Sequence, residues 1–155
     1  MGDEDLAFTP ASDLRGMIDS KWVSIVELTE MFLRRIERLN PQLNAYLTVT
    51  GDEAMASARA SEEALLRGEC HGPLHGVPVS IKDLEITKGI RSTMGSLVFK
   101  DHVPTQDSPP AERVRRSRAI VLGKTNTPEF GFAGTTENRL MDSCRNPWNT
   151  EKTPG

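Results

Sequence analysis

Residues 72–83, GPLHGVPVSIKD, decide the fold class. Glycine and proline surround β-branched residues here, a pattern that predicts a short strand over residues 77–81. The apolar run AIVL at residues 119–122 predicts a second, buried strand. Between them, DSPP at residues 107–110 is typical of a helix start, and we expect that helix to run to about Ser117. This order of elements predicts an α/β layer.

The first third of the chain has the patterns of helices. Pro10 suits the first turn of a short helix. SIVE at residues 24–27 is typical of a capping box and begins a run of apolar residues at helical spacing, which we expect Asn40-Pro41 to end. TGDE at residues 50–53 predicts another capping box, ahead of an alanine-rich helix that Gly68 closes. We expect mostly loop after Gly123.

Composition and charge exclude several classes of protein. The net charge of -3 gives no reason to expect a nucleic-acid partner or a membrane surface, and no apolar run approaches transmembrane length. The N-terminus MGDEDLAF lacks the apolar core of a secretory signal. Cys70 and Cys144 do not form a disulfide framework, which favours a reducing compartment. We therefore expect a cytoplasmic protein.

Lys82 is the residue most suited to chemistry, because it follows an apolar strand. Burial would lower the pKa of its ammonium group, and a neutral lysine is a competent general base. The alternative is a lysine that points to water or pairs with Asp83, and strand position alone favours that alternative. Lys124 follows the second strand, but polar Thr125 and Asn126 come next, so we expect solvent near it.

Other candidate sites are weaker. Cys70, His71 and His75 match no standard zinc spacing, so we expect no metal and no cofactor. The arginine-rich run at residues 112–118 predicts a solvated helix face. No serine lies in a nucleophile elbow, and no glycine-rich loop matches a phosphate cradle.

Several blocks, taken in order, carry a resemblance to a known family. The chain resembles the amidase signature family in five blocks, which occur in the order GPLHGVPVSIKD, TMGS, IVLGKTNTPEFG, TEN and RNPWN. The resemblance extends over nearly the whole chain and is weaker in the N-terminal helices. The resemblance implies an α/β/α domain with a mixed sheet, of which this chain holds an incomplete part. We expect an N-terminal helical segment over residues 1–70 and part of the catalytic α/β domain over residues 71–155. KTNTPEFG looks more like the general amidases than the glutamyl-tRNA amidotransferase A subunits, which stay an alternative.

The resemblance also implies a reaction. In the family a Ser–Ser–Lys triad hydrolyses the C–N bond of an amide through an acyl-enzyme, and the triad lysine corresponds to Lys82. A small-molecule amide is the implied substrate. Gly131 and Phe132 correspond to a segment that lines the family's acyl pocket, although they could equally be ordinary packing residues.

The end of the sequence bears on activity. In the family, RNPWN and the following PG run on into a GGSSGG loop that carries the bridging serine, and the nucleophilic serine lies further on. We expect a truncated amidase, inactive alone, whose missing part a second chain could supply. The alternatives are a non-catalytic fragment, a binding module, or an amidotransferase A-type subunit. We expect strand geometry to keep Ser80 from serving as the nucleophile of Lys82.

Arg118 is a departure from the family pattern, which has glycine between the helix and the AIVL-like strand. Glycine there would be a left-handed helix cap. A non-glycine residue in that conformation costs about 1 kcal/mol of conformational energy. We therefore expect either a different helix end in this chain or a strained Arg118.

Overall fold

The computed structural model describes residues 2–69 and 72–155. The N-terminal part contains helices α1 (Asp3–Ala7), α2 (Ala11–Asp19), α3 (Ile25–Leu43) and α4 (Gly51–Leu66), with strand β1 (Tyr46–Val49) between the last two. Strand β2 (Pro78–Lys82), helix α5 (Pro109–Arg116) and strand β3 (Ile120–Thr125) follow, with short 3₁₀ turns at Leu97–Phe99 and Glu129–Gly131. The predicted strand–helix–strand order is confirmed, and β1 is a strand that the sequence patterns did not predict.

The three strands form one mixed sheet in the order β1-β3-β2. β1 is antiparallel to β3, with Tyr46 opposite Thr125. β2 is parallel to β3, because the Ile120 amide donates to the Val77 carbonyl (2.9 Å) and the Asp83 amide donates to the Thr125 carbonyl (3.0 Å). Helix α5 is therefore the crossover between two parallel strands. The predicted α/β class is confirmed.

Gly123 lets β1 approach the middle strand. Its φ is 153°, a conformation that residues with a side chain rarely adopt. A Cβ at this position would also overlap the carbonyl oxygen of Thr48. The pairing between β1 and β3 is irregular between Tyr46 and Thr48. Glycine is required at this point because the two backbones lie in contact.

Two compact units divide the chain, and each is discontinuous in sequence. The first comprises Met1–Arg35, Thr50–Val79 and Arg113–Leu122, and the second comprises Ile36–Val49, Ser80–Glu112 and Gly123–Gly155. The predicted boundary between residues 1–70 and 71–155 falls at Cys70 and His71, outside the described residues, and it stays an expectation.

The first unit has an apolar core beneath its helices. Ile18, Ile25, Leu28, Ala58 and Ile120 are almost completely buried in it. The predicted cap of α3 forms, since Ser24 Oγ accepts a hydrogen bond from the Glu27 amide at 3.1 Å. Ser24 also donates to the side chain of Glu62 in α4, so the cap ties two helices together.

One predicted helix end and one predicted helix cap are wrong in detail. α3 does not stop at Asn40-Pro41 but continues to Leu43, so the missing N–H of Pro41 affects only the last turn. α4 begins where predicted, but Thr50 makes no side-chain cap. Its hydroxyl donates instead to the Val121 carbonyl (3.0 Å) and its amide to the Leu122 carbonyl (3.0 Å), because Thr50 continues the pairing with β3.

The second unit is built around a buried ion pair. Asp83 and Lys124 are both completely buried, and Lys124 Nζ lies 3.3 Å from Asp83 Oδ1. The same ammonium group donates to the carbonyl of Glu85 (2.7 Å) and to Ser92 Oγ (2.8 Å). Burial lowers the pKa of Lys124, and the negative charge of Asp83 opposes that effect. The pair fixes the end of β3 against the loop that follows β2.

Arg118 takes the left-handed conformation that the family pattern implied. Its φ is 63°, its amide donates to the Arg115 carbonyl (3.0 Å) and its carbonyl accepts from the Gly76 amide (3.0 Å). The side chain is exposed. The chain after α5 therefore passes through a left-handed residue, with the conformational strain of a non-glycine side chain.

We expect Arg118→Gly to raise the free energy of unfolding by about 1 kcal/mol, because glycine removes the left-handed strain. Urea denaturation of the protein containing this chain measures the change. Arg118→Ala is the matched control, since it deletes the same side chain but keeps the Cβ, and it should give no such gain. Equal stabilisation by both variants would contradict the assignment of strain.

We expect Lys124→Met to lower the free energy of unfolding by about 3–5 kcal/mol, because it leaves a charged Asp83 buried without a counter-ion. Adding Asp83→Asn should recover part of the loss by removing that charge. Exposed Lys100 provides the control, and Lys100→Met should change stability by about 0.5 kcal/mol or less. A loss below about 1 kcal/mol in Lys124→Met would show that solvent reaches the pair.

Candidate functional site

The alternation of side chains along β2 gives the sheet two different faces near the candidate site. Ile81 and Asp83 are buried on one side, whereas Ser80 and Lys82 are exposed on the other. The expectation that Ser80 would be set apart from Lys82 by strand alternation is therefore wrong, because residues two apart on a strand share a face.

Lys82 lies at the end of β2 with an exposed side chain. Within the described residues no ion pair or hydrogen bond of its ammonium group is found, and it does not pair with Asp83. The side chain is not buried by the described residues, and its burial beside a cavity in the completed domain stays a prediction. Lys124 shows the opposite result, since we expected solvent near it and it is completely buried. Both lysines lie near the ends of their strands, but their side chains point to opposite faces of the sheet.

Asp83 holds the backbone that carries Lys82. Its Oδ2 accepts a hydrogen bond from the amide of Thr93 (2.9 Å) and another from the Thr93 hydroxyl. Its carbonyl accepts from the Met94 amide (3.2 Å). Thr93 and Met94 belong to the TMGS block, so two of the blocks noted in the sequence are joined directly. The end of β2 is thereby held between β3 and this loop.

Gly131 lies close to the loop that follows Lys82. A Cβ on Gly131 would come within 2.8 Å of Leu84 Cδ1, and its φ of 71° also favours glycine. Phe130 before it has φ 53°, and its amide donates to the carbonyl of Met94 (2.8 Å), a residue that also has φ 53°. Two segments in left-handed conformations therefore meet beside the end of β2.

Phe132 is 96% exposed, so it is not an ordinary packing residue within the described structure. Phe130 makes an edge contact with Phe99, with ring centroids 6.2 Å apart. The structure brings Gly131 near the residues after Lys82 and leaves Phe132 open. Whether the two line a pocket stays a prediction.

The last ten residues are anchored to the TEN block. Thr136 donates its amide to Thr153 Oγ1 (3.1 Å) and its hydroxyl to the carbonyl of Gly155. The Asn146 amide donates to the Lys152 carbonyl at 2.8 Å. These residues belong to the same compact unit as Lys82. The turn that closes the sequence thus has a defined conformation.

Metal-binding and membrane-spanning features are absent from the described residues. Among residues 2–69 and 72–155, no group of three or more His, Cys, Asp or Glu side chains could hold a metal ion. The candidate ligands Cys70 and His71 lie outside the described residues, and His75 bonds through its ring to the Ser61 carbonyl (2.9 Å). Burial raises the pKa of the Cys144 thiol. Over the same part of the chain, every helix is too short or too polar to span a membrane.

A groove of about 540 Å³ lies in the first unit, next to α1 and α3. Apolar side chains line part of this groove. Charged side chains line the rest, among them Arg34, which forms ion pairs with Asp3 (3.6 Å) and Glu30 (3.3 Å). None of the candidate residues Lys82, Gly131 and Phe132 lines it. The groove is therefore separate from the candidate site.

Curated relatives are identical to this chain at more than a third of the aligned positions. It is 38% identical over 151 residues to the A subunit of the glutamyl-tRNA(Gln) amidotransferase of Carboxydothermus hydrogenoformans, covering 97% of this chain and 31% of that protein. The protein of the same name from Geobacter sp. strain M21 is 39% identical, with 92% and 29% coverage. The chain thus spans about a third of the length of the curated relatives it matches.

Solved structures with the same fold include amidases. A bacterial aryl acylamidase of the amidase signature family matches with a TM-score of 0.88 and 33% identity, over 94% of this chain and 31% of that one. The peptide amidase from Stenotrophomonas maltophilia matches with a TM-score of 0.85 and 28% identity, over 93% and 31%. The family model described as Amidase matches residues 27–155. The chain belongs to the amidase signature family.

Proposed function

We propose that the protein containing this chain cleaves the C–N bond of a carboxylic amide and that Lys82 is the base of its Ser–Ser–Lys triad. The observation that carries this proposal is the position of Lys82. It ends a strand on the open face of the sheet, and the adjacent Asp83 is occupied by Lys124 and Thr93. The amine of Lys82 is therefore available to another group.

The proposed reaction assigns Lys82 a proton-transfer role. A bridging serine passes the proton of the nucleophilic serine to Lys82 Nζ, and the nucleophile bonds to the amide carbonyl carbon. When the C–N bond breaks, the amine leaves with a proton and an acyl-enzyme remains. Water then hydrolyses the ester and releases the acid. Backbone N–H groups near the nucleophile would stabilise the oxyanion.

The anchored C-terminal turn supports this assignment. By resemblance, the bridging serine lies in the loop that follows the PG of this turn in the family. Thr136 holds the turn in the same unit as Lys82, so the following loop would start from a fixed place. Residues 1–155 would supply the base, and the serines would come from the part of the relatives that this chain does not cover.

The proposed substrate is a small-molecule amide, with Gly131 and exposed Phe132 on the side that receives the acyl group. An aromatic side chain there suits an apolar acyl group. We propose no metal and no cofactor for this chemistry. A cytoplasmic location is supported by two cysteines that form no disulfide framework.

A second candidate function is that of an amidotransferase A-type subunit. It is favoured by the 38–39% identity to the two amidotransferase proteins named above. Such a protein would work with a partner protein and a charged tRNA. Turnover of a simple aryl amide by the isolated protein would support the amidase, whereas dependence on a co-purifying partner protein would support the amidotransferase.

We expect Lys82→Ala to lower kcat on an amide substrate by at least about 10³-fold, because the triad acts as a unit. Steady-state kinetics on the protein containing this chain measures the loss. Lys100→Ala, at another exposed lysine, should keep near wild-type turnover. Near wild-type turnover in Lys82→Ala would remove Lys82 from the mechanism.

We expect residues 1–155 alone to show no amidase activity and no labelling by a fluorophosphonate probe, because by resemblance the bridging and nucleophilic serines both follow the PG at the end of these residues. Supplying the remaining part of the domain, fused after Gly155 or as a second chain, should restore both signals. Labelling of the 155-residue chain by itself would place a nucleophile within it and overturn the proposed division of the triad.

A further inference from the structure

Asn138 joins the exposed segment after β3 to the end of that strand. Its Nδ2 group donates to Asn126 Oδ1 (2.6 Å) and to the carbonyl of Thr127 (2.9 Å), and its Oδ1 accepts from the Leu140 amide (2.9 Å). Both hydrogens and the oxygen of the side-chain amide are therefore in use. The opposite orientation of this amide would set its oxygen against two acceptors, so the contacts also fix which way Asn138 points.

Asn126 is a fixed attachment point for Asn138. It is buried, its Nδ2 donates to the Asn44 carbonyl (2.8 Å), and its Oδ1 also accepts from the Thr127 amide (2.8 Å). Its own backbone amide donates to the Ala45 carbonyl (2.8 Å). Because its side chain and its backbone are both held, Asn126 cannot turn to follow a displaced Asn138.

The attachment point lies one hydrogen bond from the backbone that carries Lys82. Thr125, the residue before Asn126, accepts through its carbonyl from the Asp83 amide (3.0 Å), and Asp83 directly follows Lys82. The carboxylate of Asp83 is itself fixed in the buried ion pair described above. The position of Asn138 is therefore tied to the end of β2.

Thr136, two residues before Asn138, holds the turn at the end of the sequence. Its amide donates to Thr153 Oγ1 (3.1 Å), its hydroxyl donates to the Gly155 carbonyl, and its carbonyl accepts from the Cys144 amide (3.0 Å). The Gly155 amide also donates to Thr153 Oγ1 (3.4 Å). Residues 136–138 thus connect the final turn to the end of β3.

Hydrogen bonds rather than apolar packing place this connection. The structure describes every residue from Glu129 to Gly155, and within that range only Thr136 and Cys144 are buried. A segment with few buried apolar contacts opens easily unless its hydrogen bonds hold it. The bonds of Thr136 and Asn138 therefore decide where the segment lies, and all of their partners belong to the second unit.

We propose that Asn138 and Thr136 are positioning residues for the proposed reaction: they fix the start of the chain that follows Gly155 relative to Lys82. This inference rests on the proposed function, in which the bridging serine follows that point and passes a proton to Lys82. Proton transfer requires the two groups to lie within hydrogen-bond reach, and a misplacement of about 1 Å can lower a rate about 10²-fold.

The inference is tested in the protein containing this chain with variants that delete hydrogen bonds at nearly constant volume. Asn138→Leu removes both donated bonds without adding a charge, and Thr136→Val removes the hydroxyl that donates to Gly155. Labelling by a fluorophosphonate probe, followed by intact-protein mass spectrometry, gives the rate constant and the final number of labels per chain. We expect about 10–100-fold slower labelling in each variant, with one label per chain at the end.

Two control variants make the test specific. Thr136→Ser retains the hydroxyl and should label at the wild-type rate. Thr135→Val deletes the hydroxyl of an exposed neighbouring threonine and should also label at that rate. Slow labelling of either control, or labelling of Asn138→Leu or Thr136→Val at the wild-type rate, overturns the inference.

The number of labels separates positioning from a role in folding alone. Each variant is labelled at a temperature at which circular dichroism shows that it is fully folded. A variant in which part of the protein is irreversibly misfolded gives fewer labels per chain at an unchanged rate. That result in Asn138→Leu and Thr136→Val would contradict the positioning role.

A parallel measurement on Lys82→Ala separates this inference from the proposed function. If Lys82→Ala labels at the wild-type rate, Lys82 is not the base and the proposed function fails. If Lys82→Ala labels at least about 10³-fold more slowly while Asn138→Leu and Thr136→Val keep the wild-type rate, the proposed function stands and only the positioning role fails.

Discussion

The buried pair of Asp83 and Lys124 is the interaction on which the second unit depends. Removing two charges from water is unfavourable, and the pair is tolerated because each partner has further hydrogen bonds. Those bonds reach the loop after β2, the TMGS block and the end of β3. A shift of either strand by one residue would turn its charged side chain to the other face. The pair therefore specifies how the two parallel strands lie together.

The same alternation gives the two strand-end lysines different roles. Lys124 is on the buried face and serves the structure, since all of its polar contacts are internal. Lys82 is on the open face, one residue before the aspartate that Lys124 neutralises. Because Lys124 pairs with Asp83, the ammonium group of Lys82 is left without that partner. The proposed role of Lys82 in proton transfer depends on this arrangement.

Much of this fold could be predicted from local patterns, because capping residues, helical spacing and short apolar runs act over a few neighbours. The helix starts at Ser24 and Thr50 and the strands β2 and β3 were found in this way. The sequence does not predict β1, because its four residues carry little pattern of their own and are stabilised by a distant strand. The burial of Lys124 was missed for a related reason, since its partner Asp83 is adjacent in sequence to a different lysine.

The pairing of β1 with β3 has a consequence for synthesis on the ribosome. Tyr46 precedes Ile120 by 74 residues, so β1 emerges long before the strand to which it bonds. At roughly 5–20 residues per second, that delay is about 4–15 s. Helices form in about a microsecond, so the N-terminal helices are complete early in this interval while β1 still waits. Nascent-chain chaperones would therefore meet this protein as a group of helices with an unpaired strand between α3 and α4.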